Sequence, residues 1–215
     1  MLGTDRIFLT LILVDIGVGP LATLVASNPK KRRRELYTDW SIIALVQIVA
    51  LAYGGYSLWQ GRPMAYVFAI DRVELISANQ FTSAELVEVT RCKFGTKIFG
   101  PAWPGCWAWA RPPDDPHEKE KIMFSAIQGG KDLSSMPKYY HSIDDARVAI
   151  FGALLSADTV ISRQPELWKK IENTLRTVAL KRGEIGLLWF VGRQRTGWML
   201  LERSDLKYLG FIAAD

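Results

Sequence analysis

Two histidines, His117 and His141, and two cysteines, Cys92 and Cys106, are all that this sequence offers of the soft metal-ligating residues. Neither Cys-x-x-Cys nor His-x-x-x-His spacing occurs, so neighbouring side chains cannot assemble an ordinary zinc site, and no metal or other cofactor is expected. Catalytic signatures are missing too. There is no Gly-x-Ser-x-Gly elbow and no His-Glu-x-x-His, and Gly95-Thr96-Lys97 lacks the glycine spacing of a phosphate loop. Paired carboxylates occur at Asp114 with Asp115 and at Asp144 with Asp145, in a charged link and at a helix start, where such acids are ordinarily solvated or capping. His117 and His141 read as surface histidines in the same two places. The chain is therefore not expected to be an enzyme.

Positive charge is scarce outside one place. The 27 basic residues exceed the 22 acidic ones by five, and five stand side by side: Lys30, Lys31, Arg32, Arg33 and Arg34. Without them the balance is 22 against 22. A nucleic-acid binder spreads its excess over the folded domain, so no nucleic-acid partner is expected.

What the sequence has in quantity is apolar length near its start. Residues 7–26 carry a single charge, Asp15, and residues 41–58 carry none. Twenty residues at about 1.5 Å each reach about 30 Å, the thickness of a hydrocarbon layer. Trp40 and Trp59 bracket the second run, where indole rings favour the membrane interface. The first run is too long for a signal peptide, and its basic cluster follows it rather than precedes it. These features predict a transmembrane hairpin over residues 1–59, with spans 7–26 and 41–58 and a basic cytoplasmic loop 27–40. Lys30 to Arg34 set that topology and touch anionic lipid headgroups. Residues 60–215 then form a periplasmic domain.

An ionised carboxylate in mid-span costs about 2.5–3.5 kcal/mol, so Asp15 needs a partner. Tyr53 lies at similar depth on the returning span. Gly17, Gly19 and Pro20 on one helix, and Gly54 with Gly55 on the other, permit close approach. Two readings stand: a pair that holds the hairpin together, or a partner-binding or proton-linked role. Cys92 and Cys106 fall on the oxidising side, where a disulfide is allowed. The tryptophans of residues 99–109, Trp103 and Trp107 among them, are either local core under that disulfide or a contact with membrane or partner.

The rest of the chain reads as α+β with a mixed or antiparallel sheet and two or three helices. Residues 65–76 are expected as one strand leaving the membrane, and Thr82 or Ser83 as the cap of a short helix through Val89. A solvated link is expected over 112–121, then a helix over 144–158 burying Val148, Phe151, Leu154 and Leu155. A second helix is expected over 165–182, ended by Gly183, followed by strands over 185–191 and 198–201.

Three stretches resemble the blocks of type IV pilin accessory proteins of the TfpX/TfpZ kind. The first is residues 14–24, with Asp15, Gly17, Gly19 and Pro20. The second is residues 39–54, with Gln47 and Tyr53, continuing into Arg62-Pro63 and Ala69-Ile70-Asp71-Arg72. The third is residues 130–140, from Gly130-Lys131-Asp132-Leu133 to Tyr140. The resemblance implies a non-enzymatic protein of the bacterial inner membrane that assists pilin stability, pilus assembly or pilus dynamics by binding the major pilin or the assembly platform. Asp15, Gly17, Gly19, Pro20, Gln47, Tyr53, Trp103 and Trp107 are its candidate contact residues. A membrane-anchored periplasmic enzyme acting on glycan, lipid or peptide is the alternative. Members of that family carry another hydrophobic segment before the first block, whereas this sequence begins almost directly on it, as a late start or a lost helix would leave it.

Overall fold

The computed structural model describes residues 32–91, 106–193 and 195–214. It divides between Arg62 and Pro63 into two units. The first contains one described helix, α1 (Arg33–Gln60), 28 residues long with no buried side chain. It is long and apolar enough to cross a membrane. It starts inside the expected loop 27–40, because residues 33–40 contain no proline or glycine to delay helix formation. The other expected span, 7–26, lies outside the described residues, so α1 is the described part of the expected hairpin.

The second unit is α+β around one mixed seven-stranded sheet. Its strands are β1 (Pro63–Ala69), β2 (Arg72–Ser77), β3 (Cys106–Ala110), β4 (Tyr140–Ser142), β5 (Ile185–Val191), β6 (Thr196–Glu202) and β7 (Tyr208–Ala213), in spatial order β4-β3-β1-β2-β5-β6-β7. The pairs β1–β3 and β2–β5 are parallel and the others antiparallel. Among the described residues five α-helices flank it, rather than the two or three expected: α2 (Ser83–Thr90), α3 (Pro116–Ile127), α4 (Arg147–Ala153), α5 (Ala157–Arg163) and α6 (Trp168–Val178).

Several expectations are corrected here. Residues 65–76 are two strands, since the chain reverses at Ile70, whose φ is 59°. A β-branched residue rarely adopts that conformation, so the turn carries none of the usual glycine or asparagine signal. The link 112–121 is mostly α3. Asp115 caps it by accepting from the His117 amide at 3.2 Å, and Pro116 supplies the first position. The expected helix 144–158 is broken at Leu154 and Leu155, where Leu155 pairs with Leu187 of β5 through two 2.9 Å hydrogen bonds. Its Leu154 is buried as expected, but Val148 is 84% exposed and Phe151 36%, and Ile143 and Ile150 are buried in their place. The next helix ends at Ala179, in a left-handed conformation, before Gly183 is reached. Cys106 and Trp107 belong to β3, not to a loop. The short α2 and β5 stand where the sequence put them, and Thr82 caps α2 through a complete capping box.

Both faces of the sheet are covered. This is why β1 and β5 read as unbroken apolar runs rather than as alternating ones. One face is a continuous core in which Phe68, Val73, Trp107 and Met199 pack against Ile143 and Ile150. Each such side chain contributes about 1.5–3 kcal/mol by burial. The opposite face carries two separate cores. One gathers Val67, Ala108, Val89 and Leu133, and the other gathers Leu187, Leu200, Ile171 and Val160. Glu74 of β2 lies in register with Val67 and Val191 on this second face and belongs to neither core.

Candidate functional site

In the first unit, α1 has aromatic side chains at both ends. Tyr37 meets Trp40 edge to face with centroids 6.2 Å apart, and Arg62 stacks 4.0 Å above the Trp59 ring while donating from Nη1 to the Trp59 carbonyl at 2.8 Å. Between them no charged residue interrupts residues 41–58. The partly covered side chains Asp39, Ile43, Gln47, Gly54 and Leu58 recur at helical spacing along one stripe, which puts Gln47 and Gly54 on a common face. Tyr53 is 73% exposed and points away from that stripe. Its expected partner Asp15 lies outside the described residues, as do Gly17, Gly19, Pro20, Lys30 and Lys31. Arg32 immediately precedes α1, and Arg33 and Arg34 form its first turn.

In the second unit, residues 130–140 tie α2, α3 and β2 together. Gly129 adopts φ 79° to end α3. A Cβ on Gly130 would meet Ser125 Oγ at 2.6 Å and the Ser125 carbonyl oxygen at 3.0 Å, so glycine lets the chain pass closely where its amide bonds that carbonyl at 2.8 Å. The chain then turns inward. Asp132 accepts from the Leu133 amide at 2.7 Å, and Ser135 Oγ donates to the Asp132 carbonyl at 2.8 Å. Lys131 pairs with Glu85 of α2, Ser134 Oγ donates to Glu74 of β2 at 2.6 Å, and the Tyr140 hydroxyl donates back to the Ser134 carbonyl. Tyr139 and Lys138 both donate to Glu118 of α3.

These contacts move the titrations of Glu85, Glu118 and Tyr140, and raise that of Lys138 through its contacts with Tyr139 and Glu118. Partial burial pushes the Glu85 carboxyl up, but hydrogen bonds from Lys131 and Thr82 outweigh it and hold the group below its ordinary value. Hydrogen bonds from Tyr139 and Lys138 lower Glu118. Burial, reinforced by the charges of Glu85 and Glu74, pushes the Tyr140 phenol well above its usual range.

The same segment walls a cleft of about 700 Å³. It opens because β2 and β5 stay in register only over Arg72–Glu74 and Trp189–Val191. Beyond Glu74, β2 runs on through Leu75, Ile76 and Ser77 while β5 ends and the chain turns at Gly192. Among the described residues, the buried polar side chains are Ser77, Ser134 and Ser135, and all three line this cleft. Asn79, Gln80 and Arg193 stand exposed at its rim. Glu74 sits inside, its side chain 20% exposed, with Arg72 Nε 3.6 Å from it. The set is built for hydrogen bonding. Ser134 is 2% exposed and bonded to a carboxylate, and neither histidine lines the cleft, so the described residues there place no accessible nucleophile beside a base.

Of the remaining candidates named from the sequence, Trp107 lies in the core, 1% exposed and stacked on Tyr66 with centroids 4.7 Å apart. Its place in a central strand decides for packing over surface contact. Cys106 is buried at the start of β3, and Cys92 and Trp103 lie outside the described residues. Sequence reasoning missed the cleft, for which Glu74 was the available signal: a carboxylate in an otherwise apolar strand.

Over 219 aligned residues the chain is 36% identical to the fimbrial assembly protein of serogroup I from Dichelobacter nodosus, taking in all of this chain and 82% of that protein. The serogroup E1 protein of the same organism aligns with the same coverage at 25% identity. The protein of serogroups C1 and C2 is 35% identical over 86 residues, 40% of this chain and 66% of that protein. No family model matches the sequence, and no solved structure does.

Proposed function

The chain belongs to the fimbrial assembly protein family, and from that premise we propose that it is a non-enzymatic accessory of type IV pilus assembly, anchored in the bacterial inner membrane. The observation that carries this reading is the 36% identity to a fimbrial assembly protein across all of this chain, apolar N-terminal region included. The membrane part holds the major pilin or the assembly platform, with Asp15, Gly17, Gly19, Pro20, Gln47 and Tyr53 in the contact. The second unit stands in the periplasm.

Physical chemistry supports the membrane as the meeting place. Helices associate in lipid through close packing of small residues and through hydrogen bonds, not by the hydrophobic effect, and the sequence 15–20 supplies both. Gln47, on the partly covered stripe of α1, adds a side-chain amide at mid-helix.

The test replaces Asp15 by Asn, which keeps hydrogen bonding, and by Leu, which removes it. Each lost bond weakens a membrane contact by about 0.6–2 kcal/mol. Pilin co-purification and surface piliation should fall in the order wild type, Asp15→Asn, Asp15→Leu at equal accumulation. Normal piliation with Asp15→Leu would remove Asp15 from the contact. A variant that fails to accumulate would assign Asp15 to holding the hairpin with Tyr53.

A further inference from the structure

We propose that the cleft beside β2 seats an extended polypeptide segment, lying along the free edge of Leu75–Ser77 with a cationic side chain against Glu74. This rests on the reading above, because the segment is taken to come from the pilus subunit held in the membrane.

Three observations choose that ligand. The first is the strand edge. Past the register pair Glu74 and Val191, β2 continues for three residues with no strand partner on that side among the described residues. A strand edge presents N–H and C=O groups at the spacing of another extended chain, and strand addition is a recurring mode of peptide recognition. The second is the polar lining. Ser77 and the side-chain amides of Asn79 and Gln80 at the rim supply donors and acceptors for a main chain, and Ser134 and Ser135, whose protons go to Glu74 and the Asp132 carbonyl, keep acceptor lone pairs.

The third is charge and shape. Lys131 is engaged by Glu85, Arg193 stands exposed at the rim, and Arg72 Nε lies 3.1 Å from Asp71 and 3.6 Å from Glu74, beyond hydrogen-bond reach of the latter. Glu74 receives one hydrogen bond, from Ser134, and keeps capacity for a further donor. An incoming ammonium or guanidinium supplies it at the inner wall, whereas an anion there would lie against the Glu74 carboxylate, with Lys131 already held by Glu85 and Arg193 at the rim. Among the described residues the lining contains no tryptophan, tyrosine or phenylalanine, so these offer a sugar ring or base no aromatic platform to stack on.

The experiment places a benzophenone amino acid at exposed Asn79 in the full chain, in cells that make the pilin, with a second position at exposed Val46 of α1 in parallel. Adducts are detected with antibody to the pilin and mapped by mass spectrometry. The Asn79 adduct should map to an extended stretch of pilin containing Lys or Arg. Glu74→Gln, which keeps an acceptor for Ser134, and Gln80→Trp, which fills the mouth from an exposed position, should each cut its yield about tenfold. The Val46 adduct and the amount of protein should stay constant. Capture at Val46 but not at Asn79 would overturn the cleft and leave the membrane reading standing. Absence of both adducts would overturn the two together. An Asn79 adduct unaffected by either variant, or one mapping to a segment without a cation, would remove the peptide from this cleft.

Discussion

Ser134 Oγ donates a 2.6 Å hydrogen bond to the carboxylate of Glu74, sixty residues away in sequence. It joins the segment after α3 to the middle of the sheet, at a place on the second face that belongs to neither core. A partly buried carboxylate in a central strand costs free energy unless it is hydrogen-bonded, and Ser134 bonds it while the open side faces the cleft.

Removing that donor is expected to destabilise the second unit. A hydrogen bond to a charged group contributes about 1.5–3 kcal/mol, so Ser134→Ala should lower the urea midpoint of the full chain in detergent, followed by tryptophan fluorescence. In combination with Glu74→Gln the losses should fall short of additive. Strict additivity would mean that the two side chains do not interact in solution.

The Glu85–Lys131 pair should appear as acid sensitivity. The Glu85 carboxyl is held below its ordinary 4.5, so the folded protein carries fewer protons there than the unfolded chain. Its contribution is present above pH 4.5 and is lost as pH falls through the lowered value. Both side chains are about a third exposed or slightly less, so solvent screening keeps the effect under about 1 kcal/mol. Thermal unfolding of Glu85→Gln should depend less steeply on pH below 4.5 than that of wild type.

Tyr140 should act at the opposite end of the scale. Its phenol titrates above the ordinary 10.0, so the contribution from the neutral hydroxyl is complete below pH 10 and is lost as pH rises toward the raised value. Tyr140→Phe leaves the Ser134 carbonyl without this donor and should cost about 1–2 kcal/mol at neutral pH. The variant should lose less stability than wild type between pH 10 and 11.5 in the same thermal assay.

Cys92 and Cys106 are expected to be bonded if the second unit lies in the periplasm. A closed loop of about 15 residues contributes roughly 3 kcal/mol in the chain-entropy model. Reduction should then lower the melting temperature, and the unreduced, denatured protein should resist maleimide. Two reactive thiols would refute the bridge.

Orientation is open to a direct test. Excess positive charge is confined to residues 30–34, and short basic segments stay cytoplasmic. A periplasmic reporter fused after residue 215 should be active and a cytoplasmic one silent.

Apolar length and local capping were legible in the sequence. An uncharged run of 18 residues between two tryptophans has few soluble uses, and Thr82 with Glu85 announces a helix start whatever surrounds it. The strand 185–191 was legible for the same reason, since a short apolar run bounded by Gly183 and Gly192 can be read locally. Long-range contacts decided the rest. Nothing near residues 144–158 in sequence says that Leu155 will pair with Leu187, and that pairing breaks the helix. Trp107 reads as a loop anchor until β1 is placed beside it in parallel register and Tyr66 stacks on its ring. The cleft belongs wholly to this second kind. Its walls come from residues 74–80, 129–135 and 191–193, and the gap between them exists because β2 outruns β5. Periodicity and capping act over a few residues and are therefore written in the sequence. Register between strands more than a hundred residues apart is set by the packing of both faces at once, so only the folded chain could show Glu74 facing an opening.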